Sequence, residues 1–124
     1  MLDKVRFEGV VEAISTNWPK HKTSIKISGT YAEAPEIESQ SIGEFHRIST
    51  PVSVEIAVSE QESVEFVAKV GSAKTDWVTD ETVVSLMVTT MGHEFESKAS
   101  ILGIWAERGT KVSIRIEPAQ KELL

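Results

Sequence analysis

Residues 97–116 read SKASILGIWAERGTKVSIRI, and within these twenty positions the apolar spacing changes from helical to alternating. Ile101, Leu102 and Trp105 recur at helical intervals, with the good helix formers Ala99 and Ala106 beside them. Gly109 stops the turn, because glycine alone enters the left-handed conformation without a Cβ penalty. Arg108 stands where a cation favours the negative end of the helix dipole. Val112, Ile114 and Ile116 then alternate with Lys111, Ser113 and Arg115, the pattern of a half-buried strand. A short helix over about 98–108, a glycine and a closing strand need a sheet beneath their apolar face. The rest of the chain has to supply it.

The preceding residues alternate in the same way. Val5, Phe7, Gly9, Val11 and Ala13 share one face of a first strand, with Arg6, Glu8 and Glu12 opposite and Val10 interrupting the polar side. Thr23, Ile25 and Ile27 mark a second strand ending at Gly29, paired antiparallel with the first through the turn at residues 15–22, STNWPKHK. Residues 31–41, YAEAPEIESQS, are acidic, carry Pro35 and read as an excursion from the sheet. Residues 42–48 return to mixed apolar character around Gly43, Phe45 and His46. Pro51 opens the most regular strand, where Val52, Val54, Ile56 and Val58 alternate with Ser53, Glu55 and Ala57. Residues 63–73 fit either a strand or a short helix, and the β-branched content favours the strand. Residues 71–80 read as loop. The nearly continuous apolar run VVSLMV at 83–88 predicts a strand covered on both faces, and residues 89–92 a turn. The sum is a mainly β single domain over 1–124, an antiparallel barrel or sandwich of six to seven strands with one firm helix.

Composition limits the function classes. The chain has 124 residues, 40% hydrophobic and 26% charged, which suits one ordinary globular domain. No apolar run reaches the roughly 20 residues of a membrane span, and the start MLDKVRFEGV lacks a signal peptide's apolar stretch. With no cysteine there is neither a disulfide framework nor a thiolate nucleophile, which fits a cytoplasmic location. The formal charge of −6 weighs against general electrostatic capture of nucleic acid and leaves room for a local basic patch.

One such patch stands out. Trp18, Lys20, His21 and Lys22 place an aromatic ring beside cations on a hairpin loop, the pairing that stacks a base and meets a phosphate in single-strand binding. The plainer alternative is a tryptophan folded over the barrel with solvated lysines beside it. Phe45 and His46 form a second aromatic and cationic pair. The histidines at 21, 46 and 93 share no metal-ligand spacing. His93 with Glu94 and Glu96 at a strand end, and Asp76, Asp80 and Glu81 in one loop, match no metal-site pattern. No glycine-flanked serine elbow and no glycine-rich phosphate loop occurs. The expectation is therefore a non-catalytic module without cofactor or metal, which binds a protein partner or itself as a subunit of an oligomer. RNA or single-stranded nucleic acid is the alternative ligand, and a phage or virion component with exposed strand edges a third possibility.

Two stretches resemble known families. GVVEAIS (9–15), SIKISGTYAEAPE (24–36) and IGEFHRIS (42–49) are similar to the later part of the N-terminal, Sm-like domain of the Pelota family. That resemblance covers under half of the chain. It implies a small barrel that contacts RNA on the ribosome, with Phe45, His46 and the Trp18 loop at the contact. Residues 92–118 resemble the last helix and strand of HPr-type phosphocarriers, with Ser100, Ile101, Leu102 and Gly103 at that family's S-I-M-G positions. The family's G-x-H-A-R-P phosphohistidine motif is absent. The second resemblance implies an α+β open-faced sandwich in the C-terminal half, with a helix between Gln61 and Val70.

Overall fold

The computed structural model describes residues 4–17, 22–32, 35–88 and 93–119. Six antiparallel strands close into a barrel: β1 (Val5–Asn17), β2 (Lys22–Tyr31), β3 (Val52–Ala57), β4 (Ser63–Asp76), β5 (Glu81–Val88) and β6 (Lys111–Pro118). Around the barrel the order is β1-β2-β5-β4-β3-β6, with β6 returning to β1. Two helices interrupt the strands: α1 (Pro35–Ile48) between β2 and β3, and α2 (His93–Arg108) between β5 and β6. Closure gives each described strand two neighbours, although the ladders are partial: β1 meets β6 only over residues 5–10, and β4 meets β3 over 63–68 and β5 over 69–76.

Alternation fills the core. Val52, Val54 and Ile56 of β3, Ile25 and Ile27 of β2, Val84, Leu86 and Val88 of β5, and Val112, Ile114 and Ile116 of β6 are buried on one face of each strand. β5 keeps Val83, Ser85 and Met87 only half-covered, so its apolar run marks one buried face and one shielded face rather than two buried ones. Gly9 faces Gly29 across the β1–β2 ladder, and a Cβ on either would overlap the partner strand's backbone. The pair permits a close approach that no side chain would.

Two bulges explain where the chain departs from simple alternation. The β1–β2 register shifts between Val11 and Ala13, and the β4–β5 register shifts between Val70 and Ser72. One extra residue reverses the faces. In β1 the inward set moves from Val5, Phe7 and Val11 to Ile14, leaving Ala13 exposed against expectation. In β4 it moves from Val64, Phe66, Ala68 and Val70 to Ala73 and Thr75. The strand therefore continues to Asp76, through residues expected as loop. Gln61 lies in the bend before β4, and residues 63–70 are strand where the HPr-type arrangement needs a helix. The open-faced sandwich is thus replaced by the closed barrel, and β4 joins β3 to β5 within it.

α2 covers β1 and β4 with Phe95, Leu102 and Trp105, and Phe95 meets Phe66 edge to face at 5.9 Å between ring centroids. Ile101, expected inward, is exposed, because Leu102 and Trp105 are spaced from Phe95 by seven and ten positions and set the inward stripe without it. The helix ends in a Schellman motif: the Thr110 N–H donates to the Trp105 carbonyl at 3.0 Å and the Gly109 N–H to Ala106 at 3.3 Å. Gly109 has φ +63°, as expected of the stopping glycine.

α1 occupies the segment expected as an excursion. Pro35 suits a first helical turn, Glu36 and Glu38 favour the positive end of the dipole, and His46 and Arg47 the negative end. Its inward face is Glu38, Ser41, Ile42 and Phe45, half of it polar. Glu38 earns its buried position by accepting the backbone N–H of Arg6 at 2.9 Å.

Candidate functional site

Two surface regions stand apart from this frame. The first is the tip of the β4–β5 hairpin. Beyond the final ladder pair, Asp76 with Glu81, a four-residue turn carries Trp77, Val78, Thr79 and Asp80. Its shape is held by its own polar groups. The Asp76 carboxylate accepts the Val78 N–H at 2.9 Å, and the Asp76 carbonyl accepts the Asp80 N–H at 2.6 Å. Asp80 takes the left-handed conformation, φ 63°, which short polar side chains tolerate.

This ordered turn presents large apolar groups to solvent. Trp77 is 53% exposed and Val78 92%. Ile37, in the first turn of α1, is 60% exposed and lines a shallow cleft with Pro35, Glu36, Trp77 and Asp80. Residues 35–38 and 76–81 contain Glu36, Glu38, Asp76, Asp80 and Glu81 and no Lys or Arg. With Glu38 turned inward, Glu36 and Asp80 line the apolar cleft, and the exposed Asp76 and Glu81 bound the turn on either side. The sequence carried one signal for this: tryptophan and valine between two aspartates in a turn have no core to enter.

The second region lies where α1 ends against β4. Lys22, His46, Ser49 and Lys69 line a cleft of about 350 Å³ together with Val70, Gly71 and Met87. His46 is placed by a hydrogen bond of 3.0 Å between Nδ1 and the Val70 carbonyl, immediately before the β4 bulge. A carbonyl only accepts, so Nδ1 carries the proton. Ser49 closes α1 at φ 55°, its N–H donating to the His46 carbonyl at 3.2 Å. Arg47 is committed elsewhere, to the adjacent Glu44, whose carboxyl its hydrogen bond holds below the usual range.

The structure therefore brings together two residues singled out in the sequence, Lys22 and His46, and adds Lys69 and Ser49. Phe45 goes the other way. It is fully buried between α1 and the barrel, at 0% exposure, so its ring packs the core and meets no ligand. Its one-residue offset from His46 turns the two about 100° apart around the helix, one buried and one exposed. Trp18, Lys20 and His21 lie outside the described residues. Asp76, Asp80 and Glu81 shape the hairpin turn, and among the described residues no group of three His, Asp or Glu is arranged to hold a metal ion. Residues 93–96, expected at a strand end, open α2, and the side chains of His93 and Glu94 lie outside the described set.

No family model and no curated protein matches the chain. Among solved structures it is similar to a siderophore interacting protein from Acinetobacter baumannii, at 15% identity and a TM-score of 0.42. The match covers 95% of this chain and 42% of that one, so the chain spans less than half of that protein's length. Among the described residues no helix is long and apolar enough to cross a membrane.

Proposed function

We propose that this barrel is a non-catalytic binding module, acting in the cytoplasm, that docks through the β4–β5 tip onto a protein segment combining apolar side chains with Lys or Arg. The observation that carries this is the ordered, exposed Trp77–Val78 turn beside Ile37. Exposed tryptophan is uncommon on a surface with no use for it and is enriched at the anchoring centres of interfaces. A turn already fixed by its own hydrogen bonds loses little entropy when a partner arrives.

Charge selects the partner. Pairing two copies of this tip would set Glu36, Asp76, Asp80 and Glu81 against their own kind, which costs free energy. A cationic rim on the partner reverses the sign. Self-association is thus the weaker form of the subunit expectation. A ribosomal role of the sort implied by the Pelota resemblance would belong to the same class of binding proteins.

A labelled amphipathic peptide of alternating leucine and lysine, titrated into the full chain, tests this. Binding is expected to weaken about thirtyfold in Trp77→Ala, the scale of a lost anchor of about 2 kcal/mol. A glutamate-for-lysine version of the peptide is expected not to bind. Equal affinity of the two peptides, or unchanged affinity in Trp77→Ala, would overturn the assignment. A dimer by light scattering that persists in Trp77→Ala would move the interface elsewhere.

A further inference from the structure

The hairpin tip leaves the cleft between α1 and β4 unexplained, and its chemistry is opposite. In a chain of net charge −6, its lining among the described residues includes Lys22, Lys69 and His46 and no carboxylate. Among the described residues neither lysine is in an ion pair or a hydrogen bond, in contrast to Arg115 with Glu55 and Arg47 with Glu44. Their ammonium groups are available to a ligand. The three groups come from three separate elements, β2, α1 and β4, so the cluster is a product of the fold rather than a run of solvated charge along one face.

We propose that this cleft binds the phosphate group of a phosphorylated organic molecule. Lys22 and Lys69 supply charge, Ser49 a hydroxyl that donates to an anionic oxygen, and His46 an Nε2 that accepts a hydroxyl of the organic part while Nδ1 holds the proton. The last carbonyls of α1 oppose an anion with about half a unit of negative charge, which two lysines outweigh. Val70 and Met87 give the remainder of the lining an apolar character, suited to the organic part of an ester. The Gly71 bulge keeps the floor open, since a Cβ there would stand only 3.2 Å from the Met87 side chain. The Val70 carbonyl fixes the imidazole in place before any ligand arrives. This site shares no residue with the hairpin tip and stands or falls independently of it.

Two sources present the same chemistry: a free nucleoside monophosphate and a single-stranded nucleic acid. Amide NMR spectra of the full chain at low salt, titrated separately with inorganic phosphate, adenosine monophosphate and a short oligothymidylate, separate them. Adenosine monophosphate or the oligonucleotide is expected to shift the amides of Ser49, Lys69 and Gly71. The monophosphate acting as well as the oligonucleotide assigns a free ester, and the oligonucleotide acting alone assigns a strand. Lys22→Gln with Lys69→Gln is expected to weaken binding at least tenfold at an unchanged thermal midpoint, since both side chains are exposed. The proposal is overturned if none of the three shifts these amides, if inorganic phosphate binds as tightly as both esters, or if the double variant binds undiminished.

Discussion

Trp105 and Trp77 are the same side chain put to opposite uses. Trp105 sits on the inner stripe of α2, 7% exposed, in the cluster formed by both helices and all six strands. Trp77 sits on a hairpin turn, 53% exposed, with a flanking valine more exposed still. The difference is not in hydrophobicity but in what the backbone allows. A helix lying on a barrel carries its tryptophan to the core, whereas a four-residue turn at the end of a ladder has nowhere to bury one. Stability should therefore depend on the first and recognition on the second.

Substitutions can break or sharpen that contrast. Trp105→Ala should produce the largest loss, about 3–5 kcal/mol by denaturant unfolding, because a buried aromatic leaves a cavity. Gly9→Ala should come next, at about 1–3 kcal/mol, since the added methyl meets the Ser28 carbonyl and the ladder must spread. Gly109→Ala should cost about 1 kcal/mol, the penalty of placing a Cβ at φ +63° in the Schellman motif that holds the Trp105 helix. Trp77→Ala should change stability by less than about 0.5 kcal/mol while removing peptide binding. A destabilisation by Trp77→Ala comparable to that of Trp105→Ala would erase the distinction.

The same contrast shows how much could be read from the residues. α2, its stopping glycine and the strand after it were legible because Leu102, Trp105 and Gly109 act locally. So were β2 and β3, where alternation is unbroken, and the antiparallel barrel class that follows from them. α1 was not, because Glu38 and Ser41 occupy half of its inner face and hide the helical period. Glu38 faces inward and accepts the Arg6 N–H, a partner 32 residues away, which no local pattern reveals. The extension of β4 to Asp76 was masked by the bulge at Gly71, which reverses inside and outside partway along the strand. Of the residues suggested for binding, Lys22 and His46 do share a cleft, but only folding places them beside Lys69. Phe45, beside His46 in the sequence, has the look of a surface aromatic until the helix that buries it is in view.

The most direct measurement follows the tryptophan indole N–H resonances while the leucine–lysine peptide is added. The account predicts that the Trp77 signal, assigned by its loss in Trp77→Ala, moves on binding while the Trp105 signal stays. A bound peptide that leaves Trp77 unmoved, or that shifts Trp105 as much, would contradict it.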